Sequence, residues 1–157
     1  MHTIQRTIEI KAPIERVFEF ITQPNNLPRV WPSLVSVSNV VTKPGGYFEY
    51  DSIYKMAGVH LKLHTKTEDA QPNKLLRVRT EGGIEATFRW TFRGLDGTGS
   101  KVTCEVEYTI PVPVLGKVAE VLVMKLNERE MDITFANIKD ALEHAGAKVA
   151  VGATASH

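Results

Sequence analysis

The strongest chemical pattern in this chain is a set of aromatic residues on one side of two alternating stretches. Charged residues such as Glu49 and Arg89 occupy the other side. Alternation of this kind is typical of strands with one dry and one wet face, so the rings are predicted to line the inner face of a sheet. There they are either plain core or the wall of a pocket for an apolar molecule. They are Phe48, Tyr50 and Tyr54 in the first stretch, and Phe88, Trp90 and Phe92 in the second.

A helical stripe near the C-terminal end offers polar groups on the face that is predicted to meet this sheet. Its apolar residues recur at steps of three and four, which indicates one buried face of a helix. Continuing the stripe backward reaches Thr134, Asn127 and Met124. A buried amide must be hydrogen-bonded, and Asn127 either bonds a ligand, a water or Tyr54, or is purely structural. The apolar members are Met131, Phe135, Ile138 and Leu142.

Few other side chains have a spacing that suits catalysis or metal binding. His60 and His64 would lie ~13 Å apart on a strand, too far to share one ion, and are predicted to face solvent. Cys104 falls on the inner side of a strand and is predicted to be a small core residue. Glu130 belongs to the charged flank of the helix, from which it could reach the cavity mouth and act as a base. The chain shows no phosphate loop or nucleophile elbow, and we expect no catalytic residue, no metal and no cofactor.

The elements that position these residues are strands and turns followed by one long helix. Short turns between successive strands imply an antiparallel meander. We predict an α+β fold in which a curved seven-stranded antiparallel sheet surrounds the C-terminal helix Val112–Ala145, with short helices over Pro13–Ile21 and Asn25–Trp31 between strands one and two. The predicted strands are Thr3–Ile10, Leu34–Thr42, Tyr47–Ala57, Val59–Asp69, Leu75–Glu81, Ile84–Arg93 and Lys101–Ile110.

A single domain over residues 1–146 and a flexible tail over 147–157 are predicted from the length and from the weak patterning of the last residues. Trp31 is predicted to plug the end of the space that the sheet encloses. Leu61, Leu63 and Tyr108 face inward by alternation. Arg6 stands on the apolar side of the first strand, where an edge position would let its side chain reach water.

A second apolar group falls on roughly the opposite side of the long helix, at Leu115, Leu122, Leu126 and Ile133. Aliphatic side chains there would be exposed in a simple monomer. They indicate either a homodimer contact or docking against the early helices and Trp31, and we favour docking.

The charge balance and the single cysteine exclude several classes of protein. The 157 residues include 19 basic and 18 acidic ones, with a formal net charge of +1. Nucleic acids and anionic membranes favour clustered Lys and Arg, so neither is an expected partner. No window approaches the ~18 apolar residues of a membrane span. Cys104 cannot form an internal disulfide and the N-terminus lacks a signal-peptide pattern, so we expect a cytoplasmic protein.

The order of the elements, together with two local motifs, resembles the START-like (SRPBCC) superfamily. One motif is the run Ile8 to Ile21, where an apolar strand leads through Ala12 and Pro13 into a helix with Val and Phe at helical spacing. The other is Trp90-Thr91-Phe92, followed by Gly97 and the strand 102–106. The resemblance covers about residues 1–145 and implies a helix-grip fold. The superfamily that it points to includes the bacterial polyketide cyclase/dehydrase family. The resemblance implies little about activity, because the superfamily holds lipid carriers, hormone receptors and cyclases without a shared catalytic signature.

The resemblance and the inward-facing residues together predict non-covalent binding of a hydrophobic or aromatic molecule, such as a lipid, quinone or polyketide-like compound. Pockets for such molecules typically enclose ~300–1,000 Å³. A cyclase or dehydratase that uses the same cavity is the alternative, and a protein-partner module is a third; the scarcity of inward acids and bases favours binding. The predicted ligand-binding residues are Trp31, Phe48, Tyr50, Tyr54, Leu61, Leu63, Phe88, Trp90, Phe92, Tyr108, Asn127, Met131 and Thr134.

Overall fold

The computed structural model describes residues 1–110 and 117–152, and the side chains of residues 1–110 and 121–144. Within this part of the chain there are seven strands, three α-helices and one 3₁₀ turn at Pro24–Asn26. The strands are β1 (His2–Ile10), β2 (Leu34–Lys43), β3 (Tyr47–Met56), β4 (Val59–Gln71), β5 (Leu75–Gly82), β6 (Ala86–Gly94) and β7 (Ser100–Tyr108). The helices are α1 (Ile14–Ile21), α2 (Leu27–Val30) and α3 (Lys117–Gly152).

The strands form one antiparallel sheet in the order β1-β7-β6-β5-β4-β3-β2. Strands β2 to β7 are a meander, and β1 pairs with β7, so that the first and second strands are the two edges. The chain crosses between these edges through α1 and α2. This is the predicted α+β arrangement, a curved sheet that grips a long helix, and the prediction is confirmed.

The helix α3 packs on the sheet through the stripe that the sequence indicates. Met131, Phe135, Ile138 and Leu142 are all buried. The ring of Phe135 stacks on that of Trp90 from β6, with centroids 5.6 Å apart. Burial of an aromatic side chain stabilises a fold by roughly 1.5–3 kcal/mol, so this contact is a main attachment of helix to sheet.

The docking predicted for the other side of α3 is wrong. Leu122 and Leu126 remain 56% and 44% exposed, and Ile133 is exposed as well, while Leu115 lies outside the described residues. The early helices meet a different face of α3, where the Asn137 side-chain amide donates to the carbonyl of Val30 at 2.9 Å. The contact with α2 therefore leaves the leucines uncovered.

Polar contacts tie α3 to the edge strand β1. The Arg6 guanidinium donates to Asp132 of α3 at 2.5 Å. Arg6 thus lies at an exposed edge of the sheet, as predicted, and has a partner there. The Lys139 ammonium donates to the carbonyl of Glu9 at 2.6 Å. An exposed ion pair such as Arg6–Asp132 contributes about 0–1 kcal/mol, so this pair orients the helix more than it stabilises it.

The ends of α3 bear on two further predictions. The helix extends to Gly152, past the expected end at Ala145, while residues 153–157 lie outside the described part of the chain. The predicted start around Pro111 and Val112 also lies outside it. The single domain and the flexible tail stay predictions. None of the described helices is long and apolar enough to cross a membrane.

Candidate functional site

A cavity of about 120 Å³ lies between the concave face of the sheet and α3. Its wall is mainly apolar, with contributions from the early helices, from all seven strands and from the middle of α3. Ten of the thirteen predicted site residues lie on this wall. They are Trp31, Phe48, Tyr50, Tyr54, Leu63, Phe88, Trp90, Tyr108, Asn127 and Met131.

Three predicted site residues are buried but do not line the cavity. The Phe92 ring packs edge-on against Phe18 of α1, with centroids 5.1 Å apart, so it belongs to the core beneath that helix. Leu61 is buried close to the backbone of Gly83, where β5 ends. Thr134 is fully buried off the cavity, and its Oγ1 has no hydrogen-bond partner among the described residues.

The cavity is smaller than the ~300–1,000 Å³ expected for a pocket of this kind. The reason is that the aromatic side chains pack against one another and so occupy part of the space between sheet and helix. The Trp31 ring meets Phe88 edge-on at 5.7 Å, and Phe48 lies 5.9 Å from Tyr50. The remaining space approaches that of engineered apolar cavities of about 150 Å³ that bind benzene. It therefore suits a molecule of about one ring.

A carboxylate stands in this apolar wall where α3 passes the end of β3. The Tyr54 hydroxyl donates to Glu130 Oε2 at 2.7 Å, and the Ser33 hydroxyl donates to Oε1 at 2.5 Å. Burial first, and then the negative charge of Glu130, raise the pKa of Tyr54 well above its ordinary value. This tyrosine therefore keeps its proton and acts as a hydrogen-bond donor.

The sequence indicates Glu130 only as a marginal base, and it is not among the predicted ligand-binding residues. A usable signal is present, because Glu130 lies three residues after Asn127, one helical turn along the same face. The charged neighbours Glu128 and Arg129 obscure it, since such a cluster usually faces solvent. In the structure both neighbours are exposed and Glu130 is half-buried.

A second set of polar residues lines the cavity on three adjacent strands, at positions that are paired with one another. Tyr50 of β3 lies opposite Thr65 of β4, which lies opposite Thr80 of β5. The two threonine hydroxyls are 2.9 Å apart, and Thr65 also hydrogen-bonds Tyr50. Burial raises the pKa of Tyr50 to about 12, although the bond from Thr65 opposes the shift. Neither threonine is among the residues predicted from the sequence, because Thr is also an ordinary strand residue.

Asn127 influences Tyr108, whereas the sequence suggests Tyr54 as its partner. Burial raises the pKa of Tyr108, and a hydrogen bond with the Asn127 side chain opposes that shift. Both residues line the cavity.

The electrostatic character of the wall follows from these residues. Among the described residues that line the cavity, Glu130 is the single charged side chain, and Lys, Arg and His are absent. The described residues also contain no cluster of His, Cys, Asp and Glu that could hold a metal ion.

His64 faces outward and is flanked by Glu49 and Asp51, each 2.6 Å from a ring nitrogen. Cys104 is fully buried, and burial raises the pKa of its thiol, which makes it unreactive.

Residues 1–143 match the sequence model of a protein family described as "Polyketide cyclase / dehydrase and lipid transport". No curated protein sequence matches the chain.

Several solved structures share the fold over most of the chain at low sequence identity. The protein TTHA0849 from Thermus thermophilus is 20% identical, with a TM-score of 0.77 over 92% of this chain and 99% of its own. The Zhui aromatase/cyclase from Streptomyces sp. R1128 is 13% identical, with a TM-score of 0.70 over 92% and 98%. A START superfamily protein from Mycobacterium smegmatis is 14% identical, with a TM-score of 0.68 over 92% and 99%.

Proposed function

Because the chain belongs to the family described as polyketide cyclase/dehydrase and lipid transport, we propose that it binds an apolar or aromatic small molecule, non-covalently, between sheet and helix. The observation that carries the proposal is a hollow between sheet and helix with aromatic walls and few polar groups. Sites for small organic ligands have this composition, in which apolar surface supplies affinity and polar groups fix orientation. We propose a lipid, quinone or polyketide-like compound as the natural ligand, of which a portion about the size of one ring fits the present hollow.

The size of the hollow sets the affinity to expect for a simple probe. A ring that buries about 150 Å² of apolar surface gains about 4 kcal/mol, which corresponds to a Kd of about 1 mM. Toluene is such a probe, and it absorbs little where tryptophan is excited. Trp31 and Trp90, the two tryptophans of the chain, both line the cavity. Intrinsic fluorescence should therefore report binding.

A cavity-filling substitution tests the site. Ala86 is buried in the wall on β6, and Ala86→Leu places three further carbon atoms in the hollow. We expect saturable fluorescence changes with toluene in the wild type, and an affinity at least about tenfold weaker in the variant, because overpacking removes the space. The exposed Ala136 of α3 provides the matched control, Ala136→Leu. Equal affinity in all three proteins, each with an intact thermal transition, would place binding elsewhere and contradict the proposal.

A cyclase or dehydratase activity in the same cavity is a second candidate, and the Glu130 carboxylate is the observation that favours it. A general base must lie within hydrogen-bond reach of the proton it removes, and Glu130 lines the wall. The pKa of Tyr54, by contrast, is raised, which makes it a weaker acid and leaves it without a charge to accept protons. We therefore rank binding first. Cyclised product from a poly-β-ketone mimic, lost in Glu130→Gln, would establish the second function.

The partner and location are further proposals. The exposed Leu122 and Leu126 on α3 support a homodimer contact, since they do not pack on the early helices and Trp31 as predicted. A cytoplasmic location is consistent with the single buried Cys104. We expect no nucleic-acid partner, because the basic and acidic residues are nearly balanced.

A further inference from the structure

The charge of the cavity wall restricts which apolar molecules can enter. The charged side chain on the described wall is a carboxylate, Glu130, and no cation on that wall accompanies it. Its two hydrogen-bond partners, Ser33 and Tyr54, are neutral hydroxyls. A bound carboxylate or phosphate would therefore be desolvated beside a like charge without a compensating partner, which is strongly unfavourable.

The same carboxylate has capacity to accept more hydrogen bonds. An ionised carboxylate offers about four lone-pair positions, and each oxygen of Glu130 accepts one described bond, from Ser33 and Tyr54 respectively. Both hydroxyl protons are already used on Glu130, so neither neighbour has a proton left for a ligand. At this end of the cavity, a guest can therefore donate a hydrogen bond to Glu130 but cannot accept one from Ser33 or Tyr54.

We propose that Glu130 is a selectivity site for neutral, hydroxyl-bearing guests, namely alcohols and phenols, and that it excludes carboxylic acids such as free fatty acids. This inference rests on the proposed function, since it concerns the same cavity. The guest hydroxyl donates to Glu130, while Tyr54 and Ser33 hold the carboxylate in place. Hydrogen bonds to charged groups are the stronger ones in proteins, so the preference should be measurable even for a single-ring guest.

Three guests of nearly one size isolate the effect. Para-cresol carries a hydroxyl donor, para-methylanisole is neutral without a donor, and para-toluate is an anion at neutral pH. Amide NMR titration gives each affinity and locates the guest by the shifts of wall residues. We expect para-cresol to bind about tenfold more tightly than either of the other two. Equal affinities for the three guests in the wild type overturn the inference without any variant.

Glu130→Gln removes the charge and keeps the shape. The preference for para-cresol over para-toluate should fall about tenfold in this variant, because the anion no longer meets a like charge. The matched control is Glu128→Gln, an exposed position on the same helix with the same charge change, and there the preference should stay unchanged. A fall of equal size in both variants overturns the inference, since a general field of the helix would then explain it. Toluene binding with no preference contradicts this inference alone, whereas no binding of toluene or any of the three guests contradicts the proposed function as well.

Discussion

Two polar groups on the cavity wall, Glu130 and the row that begins with Tyr50, meet the same requirement by different means. A buried polar group must be hydrogen-bonded to be tolerated. Glu130 is held by two hydroxyl donors from other elements. Tyr50 of β3 is hydrogen-bonded by Thr65, which lies opposite it on the neighbouring strand β4. The wall therefore keeps defined polar positions in an otherwise apolar surface, which is what a site needs to orient a guest.

The raised pKa of Tyr50 predicts a loss of stability at alkaline pH. Its pKa is about 12 in the folded chain, against about 10 when unfolded. The stabilisation is complete below about pH 10 and is lost as the pH rises toward about 12, because the unfolded chain releases the proton first. The wild type should therefore lose about 1.4 kcal/mol between pH 9 and about pH 11 relative to Tyr50→Phe, which has no phenol to ionise.

Urea unfolding of both proteins at the two pH values measures this difference. Comparing wild type with variant cancels the groups that titrate alike in both, such as lysines. A stability gap that does not change with pH would show that the Tyr50 hydroxyl is not shielded from water.

Among the elements, α3 carries an apolar group that the described part of the chain leaves exposed. Leu122, Leu126 and Ile133 are exposed, although the opposite stripe of the same helix is buried. Exposed apolar patches on soluble proteins commonly mark contact surfaces. We expect the wild type to sediment as a dimer and Leu126→Glu as a folded monomer, because a charge buried in the contact would be left unpaired.

Analytical ultracentrifugation checks this prediction. Val35 on the edge strand β2 is another exposed aliphatic residue, so Val35→Glu provides the control and should stay dimeric. A wild type that is already monomeric at high concentration, or a Leu126→Glu variant of unchanged mass, rules out this contact.

The elements were predictable from the sequence because their signals are local. Alternation along β3 placed Phe48, Tyr50 and Tyr54 on the inner face, and the steps of three and four located the buried stripe of α3. The contact partner of that helix was not predictable in the same way. Which side of α3 meets α2 depends on the position of Asn137 against Val30, a long-range contact. No periodicity records it, so Leu126 was wrongly expected to be covered.

At the scale of the whole molecule, the sequence predicted a hollow but not its volume. Volume depends on how the rings are oriented, and Phe88, Trp31 and Phe48 use part of the expected space in contacts with other rings. Phe92 faces inward, but α1 lies over it, so its ring packs on Phe18 instead of the cavity. Period-two patterns give the face of a residue and leave open which helix covers it.

The proposed function requires space between the sheet and α3 that an apolar guest can occupy. Xenon binds such space without any specific polar contact, and apolar cavities of about 150 Å³ take it up. A crystal held under xenon pressure tests whether this space is accessible. We expect an anomalous-difference peak inside the wall formed by Trp90, Met131 and Leu63. An unoccupied interior at high pressure, with the rings closed over that position, would contradict it.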